Sequence, residues 1–276
     1  MTPEGSPEVV VVRGAVWILD LDGVVWLTGR PIGDAAGSVE RLRGAGVRVV
    51  FVTNNSAPTT DELLERFRRI GIPADASDLA GSADAAASLL EPGDTVAVLG
   101  EAGLVEALGR RGVAVADHGP YAAAVVGWSR DFDFDRLAST ATAARQSGRL
   151  IGTNQDPTHP TPDGLMPGSG SILAAVSTAS GVTPEVAGKP NPPMVALLRQ
   201  RFGIGEGGPP VVVVGDQPGT DGRLAEALGV PFALVDSGVT PAGAPVAGVP
   251  VAVRRADLDA LVAGAMVGHP AHSGSD

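Results

Sequence analysis

The stretch VWILDLDGVVW, residues 16–26, sets two carboxylates beside a strongly apolar run. Asp20 ends the run, and Asp22 follows one leucine later, directly before Gly23. An aspartate can act as a covalent nucleophile toward phosphorus, and a second carboxylate can serve as general acid and then as general base. Because an unpaired carboxylate is costly to bury, the pair must lie past a strand end or hold a cation. A turn with two solvated aspartates explains these residues about equally well.

A second polar cluster, Thr53-Asn54-Asn55-Ser56, follows the apolar run at 47–52. Its hydroxyl and amide groups can bind phosphate oxygens without changing the charge of the site. Ser, Thr and Asn also favour helix N-caps, so the cluster taken alone is better explained as the first turn of a helix.

A third candidate is Lys189 in GKPNPPM, just before a helix predicted to begin near Pro192. A lysine held there can neutralise both a phosphate and a nucleophilic carboxylate; an ordinary exposed lysine is the alternative. It is not the lysine of a P-loop, because Thr183 stands where the first glycine is required and Pro190 follows the lysine.

A fourth candidate is VVVVGDQPGTD, in which Asp216 follows an apolar run and Asp221 lies five residues further on. Carboxylate oxygens suit Mg²⁺, which binds one or two protein carboxylates together with substrate phosphate and water. A capping aspartate is the alternative.

Short apolar runs alternate with amphipathic segments, which predicts a parallel α/β architecture. Strands are predicted at 15–19, 47–52, 95–100, 122–127, 149–153, 211–215 and 231–235. Helices are predicted at 34–44, 59–70, 82–90, 101–111, 133–147, 169–180, 191–202 and 220–228, the last with Thr220 as its N-cap. Because the carboxyl ends of parallel strands share one edge of a sheet, the polar clusters that follow strands are expected to line a crevice there.

Composition narrows the class of protein. The chain has 276 residues, of which 44% are hydrophobic and 18% charged, with a net charge of −11 and no cysteine. The acidity argues against nucleic-acid or anionic-membrane partners, and the lack of cysteine excludes thiolate chemistry. No apolar run reaches the length of a membrane span, and the start has no basic n-region, so a cytoplasmic location is expected.

The four clusters, in this order, resemble the four motifs of the haloacid dehalogenase-like superfamily of phosphohydrolases. The matching segments are DLDGVVW, VFVTNNS, GKPNP and VVGDQPGTD, and the likeness extends over about residues 14 to 240. The long insert between the second and third motifs is similar to the C2-type cap of the NagD-like branch. The run GTNQDPTHPTPDGLMPGSGSILAAVSTASG before the lysine strengthens that likeness.

The resemblance implies a role for each motif in phosphoryl transfer. Asp20 would be the nucleophile that forms an aspartyl-phosphate. Asp22 would protonate the leaving alcohol and then activate water. Thr53 and Asn54 would bind the transferring phosphoryl group, and Lys189 would hold its charge.

The resemblance also implies a metal site. Asp20, Asp216 and the backbone carbonyl of Asp22 would bind Mg²⁺, and Asp221 would support the site without binding the metal.

The cap is where the resemblance implies substrate choice. In the insert, His159 aligns with a substrate-contacting histidine of related chains, and Trp128 stands where they often have a tyrosine. Asn55, in the second polar cluster, is a third predicted substrate contact. Packing between two prolines is an equally weighted explanation of His159. Chains of the pyridoxal phosphatase type carry an arginine where this chain has Ala57. Loss of that charge favours a glycerol phosphate-like substrate over phosphoglycolate, with pyridoxal phosphate between them, although Arg130 offers a replacement charge.

Together these expectations define an Mg²⁺-dependent phosphatase acting on a small phosphorylated metabolite. The fold expected is a doubly wound parallel α/β core at 1–82 and 186–276, interrupted by a smaller α/β cap at 83–185, with a homodimer formed through the cap. A phosphotransferase or mutase would use the same aspartyl-phosphate. A non-catalytic metabolite-binding protein on this fold is disfavoured because all four motifs are intact.

Overall fold

The computed structural model describes residue 9, residues 11–161 and residues 164–267. The chain forms two compact units. The first comprises 1–52, 67–74 and 203–276, and the second comprises 53–66 and 75–202. The division into core and cap at residues 83 and 185 stays a prediction.

The described residues form short strands and helices in alternation. The strands are β1 (Val16–Asp20), β2 (Trp26–Leu27), β3 (Arg30–Pro31), β4 (Arg48–Thr53), β5 (Leu79–Gly81), β6 (Thr95–Leu99), β7 (Ala114–Val115), β8 (Ala123–Val126), β9 (Leu150–Gly152), β10 (Thr158–Thr161), β11 (Gly164–Pro167), β12 (Pro184–Val186), β13 (Val211–Gly215), β14 (Phe232–Val235) and β15 (Val253–Arg255). The helices are α1 (Ala35–Gly44), α2 (Thr60–Arg69), α3 (Ser82–Ala87), α4 (Ala102–Arg111), α5 (Phe134–Ser147), α6 (Ser169–Ser180), α7 (Pro192–Phe202), α8 (Arg223–Leu228) and α9 (Leu258–Val267).

The first unit is built on a parallel sheet in the order β15-β14-β13-β1-β4. All five residues of β1 are buried, as expected for a strand with a parallel neighbour on each side and covered faces. From β1 the chain moves outward to β4 and later returns on the other side of β1 as β13. This reversal is a topological switch point, where open α/β sheets bind their ligands beyond the carboxyl ends of the strands. The predicted parallel α/β fold class is confirmed.

The second unit contains a separate parallel sheet in the order β12-β9-β8-β6-β7. Its core is apolar and includes Leu99, Val126, Leu150 and Val176, all almost fully buried. An antiparallel hairpin of β10 and β11 belongs to the same unit and pairs His159 with Met166. The sequence does not predict this hairpin, because glycine and prolines interrupt its apolar alternation.

One predicted helix start is wrong. Thr220 is not an N-cap but lies inside a π-helical turn at Pro218–Gly222, and α8 begins only at Arg223. The carbonyl of Gln217 accepts the N–H of Asp221 at 2.8 Å, and the Asp221 carboxylate accepts the N–H of Gln217 at 3.1 Å. This reciprocal pair closes the turn, so the helix starts about one turn later than its Thr220 signal suggests.

Among the described residues, no helix is both long enough and apolar enough to cross a bilayer.

Candidate active site

Asp20 is the last residue of β1, at the switch point of the first sheet. Its side chain is only 7% exposed, and its Oδ1 accepts the N–H of Leu21 at 2.8 Å. The strand pairing sets Asp20 beside Val52 of β4. The buried position excludes the alternative in which this residue is a solvated turn aspartate.

Asp216 and Asp221 join Asp20 in what we call the carboxylate cluster. One carboxylate oxygen from each of these three residues lies within 4.8 Å of the other two, and all three side chains are buried. Asp216 directly follows β13, the parallel neighbour of β1. Three buried carboxylates this close repel one another unless a cation compensates them. The all-oxygen donor set fits a hard divalent cation such as Mg²⁺.

Backbone groups enclose Asp216 closely. A Cβ on Gly23, whose φ is +94°, would lie 2.5 Å from Cγ of Asp216. A Cβ on Gly238 would lie 2.0 Å from its Oδ2, which accepts the N–H of Val239 at 2.5 Å. Only glycine fits at both positions. Sequence reasoning missed residues 238 and 239, since the Gly/Pro-rich run that begins there is typical of a surface loop.

Asp22 is half-buried and belongs to the turn that leaves β1. Its Oδ1 accepts a hydrogen bond from the indole Nε1–H of Trp26 at 3.0 Å. The turn is closed by the N–H of Gly23 on the carbonyl of Trp26 at 2.7 Å. Sequence reasoning identified Asp22 but not the tryptophan that holds it.

The second unit brings Asn54 and Lys189 together, although they lie far apart in the sequence. The side-chain oxygen of Asn54 accepts the backbone N–H of Lys189 at 2.8 Å. Its Nδ2 donates to the carbonyl of Lys189 at 3.2 Å and to Oδ2 of Asp156 at 3.1 Å. The Asn54 side chain therefore fixes the lysine loop. Asp156 was not identified from the sequence, because nothing in its neighbourhood indicates a partner 102 residues away.

Lys189 itself is only 3% exposed, so the alternative of an ordinary surface lysine is wrong. Its loop also packs tightly behind it. The N–H of Gly188 donates to the carbonyl of Thr153 at 2.7 Å. A Cβ on Gly188 would lie 2.5 Å from that oxygen and 2.6 Å from Oδ1 of Asn54.

The neighbours of Asn54 make local hydrogen bonds. Oγ1 of Thr53 accepts the N–H of Asn55 at 3.0 Å, and Oδ1 of Asn55 accepts the N–H of Ala57 at 3.1 Å. The Ser56 hydroxyl lies 3.1 Å from that of Thr153. These are bonds that turn residues make. Because α2 begins only at Thr60, the explanation of this cluster as the first turn of a helix is wrong.

Trp128 and His159 lie together in the second unit, with ring centroids 6.2 Å apart and planes inclined by 51°. The indole N–H of Trp128 donates to the carbonyl of Pro167 at 3.0 Å. The guanidinium of Arg130 lies 5.7 Å from the centroid of the Trp128 ring, within reach of a cation–π interaction. The structure thus groups two predicted substrate contacts with a cation, while their contact with substrate stays a prediction.

With this geometry established, the class of protein follows from comparison with known families. A model described as haloacid dehalogenase-like hydrolase matches residues 17–114, and a HAD-hydrolase-like model matches residues 186–255. The chain belongs to the haloacid dehalogenase-like hydrolase family, as its four motifs predict.

Named phosphatases are among the proteins that this chain is similar to. The chain is 38% identical over 234 residues to a D-glycerol 3-phosphate phosphatase of Mycobacterium tuberculosis, covering 82% of this chain and 64% of the relative's length. It is 30% identical over 227 residues to an acid sugar phosphatase of Staphylococcus aureus, covering 81% of this chain and 87% of the relative. A crystal structure of the glycerol phosphate phosphatase of M. tuberculosis in complex with magnesium superposes with a TM-score of 0.81. That structure is 33% identical, and the match covers 92% of this chain and 78% of that one.

Proposed function

We propose that this chain is an Mg²⁺-dependent phosphatase that hydrolyses a small phosphate monoester through an aspartyl-phosphate on Asp20. The observation that carries the proposal is the buried carboxylate cluster at the switch point of the first sheet. Membership of a hydrolase family that includes named phosphatases supports the same reaction.

The reaction divides into two balanced steps. In the first, a carboxylate oxygen of Asp20 attacks phosphorus, the bond from phosphorus to the leaving oxygen breaks, and Asp22 gives its proton to that oxygen. In the second, water attacks the phosphorus of the aspartyl-phosphate and gives its proton to Asp22. The Asp20 carboxylate then departs and inorganic phosphate is released.

A bound metal ion is proposed to compensate the negative charges of the carboxylate cluster and of the phosphoryl group. Asp20, Asp216 and the carbonyl of Asp22 would hold Mg²⁺, which would supply compensating positive charge for phosphoryl transfer. Asp221 supports this site by closing the turn after Asp216, as its hydrogen bond to Gln217 indicates.

Phosphoryl binding is assigned to Thr53 and Lys189. Lys189 and the hydroxyl of Thr53 hold the phosphoryl oxygens, and the burial of Lys189 supports a fixed rather than a mobile charge. Because the carboxamide of Asn54 is engaged with Lys189 and Asp156, Asn54 contributes mainly by fixing that lysine.

Glycerol phosphate or a similar monoester with a neutral leaving group is the proposed substrate. The D-glycerol 3-phosphate phosphatase of M. tuberculosis supports this choice, as does Ala57 in place of an arginine. Trp128, His159 and Asn55 are proposed to contact the organic part of the substrate. We also propose assembly as a homodimer through residues 83–185, which sedimentation of the purified protein tests.

The test is phosphate release from a panel of phosphorylated metabolites, with Mg²⁺ and with EDTA. We expect the wild-type protein to release phosphate from glycerol phosphate and from nitrophenyl phosphate with Mg²⁺ and to release little with EDTA. The Asp20→Asn variant should release none. Equal release by Asp20→Asn would contradict the proposal. Transfer to an added acceptor alcohol in preference to water would indicate a phosphotransferase instead.

A further inference from the structure

The indole of Trp26 makes the contact that points beyond the four motifs. Its Nε1–H donates to Oδ1 of Asp22 at 3.0 Å, across a turn of four residues. Asp22 and Trp26 are also joined by a backbone bridge. The side-chain bond and the backbone bridge therefore set the direction of the carboxylate together.

The indole is itself held rigidly. Trp26 is 2% exposed, and its ring lies 4.9 Å from that of Phe67, which lies 4.4 Å from the ring of Phe51 in β4. Antiparallel pairing with Pro31 holds its backbone. An aromatic ring packed in this way adopts one orientation, so its N–H points in one direction.

We infer that Trp26 is a positioning residue for proton transfer by Asp22, an inference that rests on the proposed phosphatase function. An indole N–H can donate but cannot accept a hydrogen bond. The oxygen that faces it, Oδ1, is therefore held as an acceptor. The proton that Asp22 exchanges with the leaving group is carried on Oδ2, and the bond to Trp26 fixes where that oxygen points.

A positioning role of this kind depends on the leaving group. A poor leaving group such as the alkoxide of glycerol needs a proton in the transition state, whereas nitrophenolate departs without one. General acid catalysis contributes roughly 10²–10⁴-fold where it is needed. Misdirecting Oδ2 therefore lowers kcat/KM for glycerol phosphate, which reports the steps up to departure of the leaving group, and spares kcat/KM for nitrophenyl phosphate. Hydrolysis of the aspartyl-phosphate, in which Asp22 acts as base whatever the substrate, slows for both and is seen in kcat.

The experiment compares Trp26→Phe with wild type on glycerol phosphate and nitrophenyl phosphate at saturating Mg²⁺. Phenylalanine keeps an aromatic ring against Phe67 and removes the donor. We expect kcat/KM for glycerol phosphate to fall about 10- to 100-fold, within the contribution of general acid catalysis, and kcat/KM for nitrophenyl phosphate to change no more than about threefold. Trp17→Phe is the matched control, because it makes the same substitution at a buried tryptophan of β1 and should leave the ratio of the two kcat/KM values unchanged.

A double variant tests whether the two residues act as a unit. In an Asp22→Asn background, Trp26→Phe should not change the ratio of the two kcat/KM values further, because the group that it positions is gone. If Trp26→Phe does not fold, β-(3-benzothienyl)alanine at position 26 removes the N–H and keeps the shape of the ring.

The possible results distinguish failure of the proposed phosphatase activity from failure of the positioning role of Trp26. No phosphate release by wild type from either substrate would overturn the phosphatase proposal itself. An active wild type with an equal loss of kcat/KM on both substrates in the Trp26 variants would overturn the positioning role alone. An unchanged kcat/KM for glycerol phosphate in those variants would also overturn it.

Discussion

The backbone N–H of Lys189 donates to the side-chain oxygen of Asn54 at 2.8 Å, although 135 residues separate them in the sequence. The same carboxamide donates to Asp156. One asparagine therefore ties the strand end after β4 to the lysine loop before α7. Asn54, which is predicted to bind the phosphoryl group, thus also holds the loop of Lys189, for which the same role is proposed.

This link predicts a loss on substitution and a rescue. Asn54→Asp turns the donor toward Asp156 into a carboxylate, so two carboxylates face each other and activity and stability both fall. The double variant Asn54→Asp/Asp156→Asn restores one donor and one acceptor at unchanged total charge, and it should recover part of the loss. We expect Asn54→Asp to lower the free energy of unfolding by about 1–3 kcal/mol, the cost of a broken buried hydrogen bond, as measured by urea denaturation. Identical stability and activity of the single and double variants would argue against the link.

Removal of Asp216 tests the metal site. Asp216→Asn keeps the shape and removes one charge from the carboxylate cluster, so the affinity for Mg²⁺ should fall at least tenfold as one of the few charged ligands of a hard cation is lost. Isothermal titration with Mg²⁺ measures this without relying on turnover. Asp34→Asn is the control, because Asp34 caps α1 and lies outside the cluster. Unchanged Mg²⁺ affinity in Asp216→Asn would place the metal elsewhere.

Gly23 permits a prediction that separates steric clash from backbone strain. Gly23→Ala introduces a Cβ 2.5 Å from the Asp216 carboxylate at a φ of +94°. Gly29→Ala adds the same strain at a φ of +80° but has no atom within 4 Å of the new Cβ. Gly29→Ala should cost about 1–2 kcal/mol of stability and retain activity. Gly23→Ala should lose more stability and nearly all activity, together with Mg²⁺ binding. Equal behaviour of the two variants would show that the clash with Asp216 is unimportant.

Substitution of His159 should change the choice among substrates more than the chemistry itself. His159→Ala should alter the relative kcat/KM of glycerol phosphate, phosphoglycolate and pyridoxal phosphate, while turnover of nitrophenyl phosphate stays within about threefold. The reason is that binding energy from the non-reacting part of a substrate assists only the substrate that offers it. A uniform loss on every substrate would instead mark His159 as a residue that supports the β10–β11 hairpin.

The sequence predicted the residues at strand ends because their position is a local property. Asp20 and Asp216 each follow an apolar run, and two parallel neighbours in a sheet must end at the same edge. From those facts alone the two carboxylates are expected to meet, and the carboxylate cluster confirms it.

Contacts that depend on tertiary packing were not predictable in this way. The apolar residues before Trp26 give no sign that its N–H turns back to Asp22. Val239 lies in a run whose glycines and prolines are typical of surface loops, yet its N–H meets Asp216. Asp156 meets Asn54 only because two segments of the second unit fold together. For Val239 and Asp156 the partner is distant in the sequence. For Trp26 the partner is near, but a tryptophan has many roles other than donating to a carboxylate.

The most direct test of Asp20 as the nucleophile is to trap the aspartyl-phosphate that it would form. The enzyme is mixed with Mg²⁺ and a substrate radiolabelled in its phosphate, quenched in acid, and the label on the protein is counted. A portion of the quenched protein is then reduced with borohydride, which converts an aspartyl-phosphate into homoserine and releases the phosphate. We predict label on the wild-type protein, none on Asp20→Asn, and homoserine at position 20 in the peptide map. Homoserine at another position, or rapid turnover by wild type with no trapped label at any quench time, would contradict Asp20 as the nucleophile.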